Sequence, residues 1–259
     1  MAKDFIVAIE LGSSKITGIA GKKNPDGSIT VLAVAKEDSK ACMRKGVVYN
    51  IDKTAQALTN IINKLKGSLQ TDIARVYVGV GGQSLKGVKN VVVKDLPADS
   101  IVTQDIVNEL MDTNRNMKNN DYEVLDAITQ EYKVEMQDEL DPVGVQACHI
   151  EGNFLNLLWR KTFNRSLNKC FDNAGIPIAE MYVTPLAMAE EILTEAEKRA
   201  GCMLVDLGAD TTTVAIYTRD ILRHLFVLPL GSSNITKDLT TLKMEEREAE
   251  AMKLKYASA

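Results

Sequence analysis

The segment Glu10-Leu11-Gly12-Ser13-Ser14-Lys15 carries residue types suited to holding an anion. An apolar run over residues 5–9 delivers an acid to a tight turn. A glycine and two small hydroxyl residues let the backbone approach a ligand closely, so that successive N–H groups can donate to phosphate oxygens. Lys15 adds positive charge, and charge-assisted bonds of this kind contribute about 1.5–3 kcal/mol each. Taken alone, the segment reads as an ordinary Gly-Ser hairpin. A second segment, Asp206-Leu207-Gly208-Ala209-Asp210-Thr211-Thr212, repeats the pattern far along the chain. Gly208 supplies the turn, Thr211 and Thr212 supply hydroxyls, and Asp206 can hold Mg²⁺ through water, because that ion keeps most of its hydration shell. Asp210 repels phosphate unless it faces a cation or solvent.

These two segments need strands to position them. After the run at 5–9 comes a turn at Gly12-Ser13-Ser14, a run at 16–20, a strong turn at Asn24-Pro25-Asp26-Gly27 and a run at 29–35. This order predicts a three-stranded meander. Residues 52–66 follow as a helix, with Asp52 as its cap, Ala55, Leu58, Ile61, Ile62 and Leu65 on one face, and Gly67 as its stop. A strand at 76–80 ends in Gly81-Gly82. Residues 84–160 read as a separate α+β unit. It has a β-rich stretch at 88–94, a helix capped by Thr103 that ends near Asn119-Asn120-Asp121, and two strand pairs at 124–135 and 145–159 parted by 138–142. A helix through Phe163, Leu167, Cys170, Phe171 and Ala174 closes at Gly175. A strand at 181–183 leads into a helix capped by Thr184 and opened by Pro185, continuous over 186–198. The meander then returns at 202–207, 212–217 and 221–228. Ala8-Ile9-Glu10-Leu11-Gly12 aligns without gaps on Leu204-Val205-Asp206-Leu207-Gly208, which predicts an internal duplication.

Composition bounds the remaining possibilities. The chain has 259 residues, 45% of them apolar and 25% charged, and a net charge of -4. That is ordinary for a globular protein of about two domains. No basic block stands out, so a nucleic-acid partner is not expected. Cys42, Cys148, Cys170 and Cys202 form no CxxC pair and read as reduced thiols, which points to the cytoplasm. His149 and His224 read as structural. The opening Met-Ala-Lys-Asp-Phe is no signal peptide, and no apolar run approaches the roughly 20 residues of a membrane helix.

Paired hairpins, each opening a meander, resemble the phosphate loops of the superfamily that contains actin, heat-shock chaperones and sugar kinases. In that superfamily the loops clamp one ATP between two domains. Within it the chain resembles the FtsA family of actin-like bacterial cell-division proteins. The likeness rests on Glu10-Leu11-Gly12-Ser13-Ser14-Lys15, Gly46-Val47-Val48-Tyr49-Asn50-Ile51-Asp52, Val76-Tyr77-Val78-Gly79-Val80-Gly81-Gly82, Asp141-Pro142-Val143-Gly144, Val205-Asp206-Leu207-Gly208, Asn234-Ile235-Thr236-Lys237-Asp238-Leu239 and Ala249-Glu250-Ala251-Met252-Lys253, in the family's order along essentially the whole chain.

The resemblance implies an α/β fold of duplicated actin-like (ribonuclease H-like) domains with an inserted α+β subdomain, called 1C. Residues 1–83 and 161–199 would form domain 1A, 84–160 subdomain 1C, and 200–259 the start of domain 2A. ATP and Mg²⁺ are the implied cofactors. Gly12, Ser13, Ser14 and Lys15 would form the first phosphate loop, and Gly208, Ala209, Asp210, Thr211 and Thr212 the second. Glu10 and Asp206 would flank the metal through water. Gly231 and Ser232 would lie in a loop beside the nucleotide, and Glu250 and Lys253 would reach the ribose and adenine; without the resemblance those last two read as a surface ion pair.

The implied role is to tether and organise FtsZ at the inner face of the cell membrane and to form filaments, with subdomain 1C recruiting later division proteins. Three departures from the family pattern stand out. Ala209 and Asp210 replace two glycines, and Thr213 stands where an Asp is common. Thr184 stands where hydrolysing relatives carry Glu, so the chain is expected to be at most a slow ATPase. In the family the FtsZ-docking surface and the C-terminal membrane helix lie beyond the point where this chain stops, so it is expected to be a fragment. A pilus-assembly actin-like protein and a small-molecule kinase of the same superfamily remain alternatives.

Overall fold

The computed structural model describes residues 5–257. The N-terminal Met-Ala-Lys-Asp, with the acid read as arguing against a signal peptide, lies outside the described residues, as do residues 258–259. Alternation decides the first strand. β1 (Ile6–Leu11) buries Val7, Ile9 and Leu11 and turns the residues between them outward. β2 (Lys15–Lys23) and β3 (Ile29–Asp38) follow antiparallel, giving the expected meander. A small hairpin, β4 (Met43–Arg44) and β5 (Val47–Val48), precedes helix α1 (Ile51–Leu69).

The cap of α1 is Asn50 rather than Asp52: the Asn50 side chain accepts from the Lys53 N–H at 3.0 Å, and Asp52 sits in the first turn. Gly67 lies inside the helix, which stops at Gln70 in a left-handed conformation, φ 51°. β6 (Val76–Val80) then pairs parallel with β1, and the crossover helix α1 covers one face of the sheet.

The inserted unit contains β7 (Lys86–Asp95), α2 (Gln104–Arg115), β8 (Tyr122–Val134), β9 (Gln137–Glu139) and β10 (His149–Arg160). Thr103 caps α2 as expected, through the Ile106 N–H. The helix ends at Arg115, and Asn119 instead shapes the next turn by accepting from the Asp121 and Tyr122 amides. The strand pairs expected at 124–135 and 145–159 are instead the single strands β8 and β10; β10 pairs with both β7 and β8, and residues 137–139 fold back on β8, giving one four-stranded sheet of order β7-β10-β8-β9. Val102, Leu110, Tyr132, Ile150 and Phe154 pack α2 onto this sheet.

α3 (Lys161–Ala174) ends at Gly175 with φ 67°, and β11 (Ile178–Val183) completes a five-stranded sheet of order β11-β6-β1-β2-β3. The helix expected over 186–198 is two: α4 (Thr184–Ile192) and α5 (Glu195–Ala200). Thr194 and Glu197 form a capping box that starts a new helix and so breaks the old one. Val183 occupies the cap position of α4, and Thr184 is already helical.

The second lobe opens with β12 (Cys202–Leu207), β13 (Thr212–Thr218) and β14 (Ile221–Leu228), followed by α6 (Ser232–Thr240) and α7 (Glu246–Tyr256). Its meander copies the first in register. Leu11 pairs with Ile16 and Glu10 with Thr17; Leu207 pairs with Thr212 and Asp206 with Thr213. Each pair of strands is therefore joined by a four-residue loop of the same kind. Among the described residues, no helix is long and apolar enough to cross a membrane.

Candidate functional site

The two four-residue loops meet across one cleft. In each, the glycine N–H closes the turn on the carbonyl three residues on: Gly12 to Lys15 at 3.1 Å, Gly208 to Thr211 at 2.9 Å. A Cβ on Gly12 would stand 2.8 Å from the Lys15 oxygen, and one on Gly208 would stand 2.9 Å from the Thr211 oxygen. Only glycine fits either place. The loop carbonyls are held from behind. The buried Ser39 hydroxyl donates to the Gly12 oxygen at 2.7 Å, and its amide donates to the Ser14 oxygen. In the second loop the Gly208 and Ala209 oxygens accept from the Ser232 and Ser233 amides at the start of α6. Among the described residues, the amides of Ser13, Ser14, Ala209, Asp210 and Thr211 have no such partner and remain available to an anion.

A cleft of about 420 Å³ holds Glu10, the first loop, Asp206, Gly208, Ala209, Thr211 and Ser232. Ser14 also lines two adjoining spaces. One, of about 100 Å³, reaches Glu250 and Lys253; the other, of about 640 Å³, reaches Lys40, Lys45, Asp210 and Lys237. The site residues named from the sequence thus gather along one continuous groove, with two exceptions. The Thr212 hydroxyl donates to the Leu230 carbonyl at 2.8 Å, so it braces the loop instead of facing the groove. Gly231 is not in a free loop: it is the cap of α6, where a Cβ would stand 2.4 Å from the Ala209 oxygen, and Ser232 is the first helical residue. Glu250 and Lys253 are more than a surface pair. The Lys253 side chain is 10% exposed, and its ammonium donates to Glu250 at 2.7 Å, to the Thr236 hydroxyl at 3.0 Å and to the Ser232 carbonyl at 3.3 Å. The Lys253 contact and the Thr236 hydroxyl hold the Glu250 carboxyl below its ordinary pKa.

Glu10 and Asp206 face each other from the ends of β1 and β12. Enclosure by the cleft walls pushes the Glu10 pKa up, the like charge of Asp206 pushes it further, and Lys15 partly offsets both. Burial raises that of Asp206. Two mutually repelling acids fit a cation held through its water shell. Among the described residues, no cluster of three or more His, Cys, Asp or Glu side chains is arranged for direct metal ligation. Thr184 lines the same cleft with a hydroxyl, which is no carboxylate base.

Sequence reasoning missed Ser39 and the β4–β5 turn, where Lys45 donates to Asp210 and Gly46 donates to Ser13. A serine between two strand segments carries no local signal, and the turn is readable only as a Lys-Gly pair between apolar residues.

Residues 203–259 match the family described as "Cell division protein FtsA", and residues 82–158 match "SHS2 domain inserted in FTSA". The cell division protein FtsA of Porphyromonas gingivalis is 34% identical over 96% of this chain and 53% of its own length. That of Neisseria meningitidis serogroup B is 28% identical, covering 98% and 62%, and that of Escherichia coli K12 is 23% identical, covering 99% and 61%. The chain thus spans a little over half the length of these relatives. Among solved structures, the PilM-PilN type IV pilus biogenesis complex aligns with TM-score 0.66 at 15% identity over 97% of this chain and 69% of that one. The ethanolamine utilization protein EutJ from Carboxydothermus hydrogenoformans aligns with TM-score 0.55 at 12% identity, over 98% and 62%. At these identities the likeness is one of fold.

Proposed function

The chain belongs to the FtsA family of cell division proteins, and on that premise we propose that its groove binds Mg·ATP as a ligand joining two actin-like lobes, in a scaffold of the division machinery. The fold is actin-like with an inserted SHS2 module. The observation that carries the reading is the pair of loops: same length, same register, same glycine contact, lining one cleft.

Loop residues Gly12–Lys15 and Gly208–Thr211 take the phosphates, with Ser232 beside them. Glu10 and Asp206 hold Mg²⁺ through water; the metal when bound neutralises phosphate charge. Glu250 and Lys253, at the far end of the groove, take the ribose and base. Domain 1A is assigned residues 1–83 and 161–199, subdomain 1C residues 84–160, and domain 2A begins at 200. Thr184 in the place of a base supports slow turnover at most, so nucleotide acts mainly by holding the lobes together.

In the whole protein, the output is self-association into filaments and organisation of FtsZ at the inner face of the membrane, with 1C contacting later division proteins. Full-length protein that fails to pellet with FtsZ polymers contradicts that role. The direct test of the site is calorimetric titration of this chain with Mg·ATP, beside Lys15→Ala and Asp206→Ala. Saturable binding that both substitutions abolish or sharply weaken is expected. Binding that survives both places the nucleotide elsewhere.

A further inference from the structure

The turn of the β4–β5 hairpin touches both loops at once. Its central residues, Lys45 and Gly46, have φ of 50° and 72°, the left-handed pair that a two-residue hairpin turn requires. The Lys45 amide donates to Asp210 Oδ2 of the second loop at 3.1 Å, and the Gly46 amide donates to Ser13 Oγ of the first at 2.7 Å. The turn is itself fixed to the first lobe. The Lys45 carbonyl accepts from the Gln83 amide at 2.8 Å, and a Cβ on Gly46 would stand 2.4 Å from the Gly82 Cα. This turn on the first lobe therefore reaches the second loop through the Asp210 carboxylate, beside the Lys40–Glu246 and Arg223–Glu131 pairs and the apolar cluster that join the two parts elsewhere. Asp210 lines the same cavity of about 640 Å³ as Ser13 and Ser14.

We infer that Asp210 is a cross-cleft latch that also discriminates between ligands by their phosphate charge. Its ligand half rests on the nucleotide reading above. Lys40, Arg44, Lys45 and Lys237 outnumber Asp210 and Glu246 along this cavity and draw a polyphosphate in, although Glu246 pairs with Lys40, while Asp210 opposes each further negative charge. Like unit charges about 10 Å apart, at an effective dielectric of about 20, alter an equilibrium roughly tenfold. The Mg²⁺ complexes of a nucleoside diphosphate and triphosphate differ by one unit charge. Asp210 thus lowers triphosphate affinity relative to diphosphate by about that factor, and a ligand that displaces it frees the hairpin turn from the second loop.

The test pairs amide hydrogen exchange with calorimetry on this chain, Asp210→Gly and Asp210→Asn. Glycine removes both charge and acceptor; asparagine keeps an acceptor and removes the charge. Without nucleotide, the Lys45 amide is expected to exchange at least about tenfold faster in Asp210→Gly and to stay protected in Asp210→Asn. The Gly46 amide, held by Ser13, serves as the internal reference and stays unchanged. The Mg·ATP to Mg·ADP affinity ratio is expected to rise about tenfold in both variants. Unchanged Lys45 exchange in Asp210→Gly overturns the latch, and an unchanged ratio in both variants overturns the discrimination. If neither nucleotide binds any of the three chains while Lys45 still responds, the nucleotide site and the discrimination both fail and the latch stands.

Discussion

In the first lobe, the loop carbonyls of Gly12 and Ser14 are held by Ser39, a residue with no exposed surface that belongs to the link after the meander. In the second, the carbonyls of Gly208 and Ala209, which match Gly12 and Ser13, are held by the first amides of α6, a helix whose buried Thr236 leads on to Glu250 and Lys253. The side chains differ as well. Where the first loop has Ser14 and Lys15, the second has Asp210 and Thr211. One backbone shape thus serves two purposes. On the proposed reading the first loop is a fixed, attractive anchor for phosphate. On the same reading the second is a weaker, charge-opposed contact, tied through α6 to Glu250 and Lys253.

The largest expected effect breaks the symmetry of affinity. Lys15→Ala should weaken Mg·ATP binding about 10- to 100-fold, the worth of a charge-assisted bond, whereas Thr211→Ala should cost less than about threefold. Calorimetry decides, and equal losses would contradict the division of labour. The next effect concerns support. Gly231→Ala drives a methyl against the Ala209 oxygen and should lower unfolding free energy by about 1–3 kcal/mol, while Ser39→Ala, losing one hydrogen bond, should cost about 1 kcal/mol. Denaturant midpoints measure both.

The smallest effect follows from the paired acids. Because folding raises the Glu10 pKa, the folded state favours its protonated form. That contribution is present below the unfolded carboxyl pKa and is lost as pH rises through the raised folded value. Glu10→Gln should therefore raise the melting temperature slightly at neutral pH without nucleotide, and the gain should fade as pH falls into the acid range. The same variant should respond less to Mg²⁺.

Much of this arrangement was legible locally. Apolar runs bounded by turn residues marked every strand of both meanders, and the equal spacing of Glu10 and Gly12 with Asp206 and Gly208 marked the duplication. The helix boundaries were less so. Asn50 and Asp52 are both capping residues, and only the reach from Asn50 to the Lys53 amide separates them. The break at Thr194 was visible as Thr-x-x-Glu but lay inside a good helical pattern. Thr212 has the right chemistry, yet its hydroxyl turns to Leu230. What the sequence could not reveal is the Lys45–Gly46 bridge, since its partners lie 165 and 33 residues away and are joined only by the folded chain.

The central claim is that two loops close on one ligand. It is tested most directly by hydrogen exchange at the amides of Ser13 and Ser14 and of Ala209, Asp210 and Thr211, with and without Mg·ATP. Both sets should gain protection together and at the same nucleotide concentration. Protection confined to one loop, or absent from both under saturating nucleotide, would contradict it.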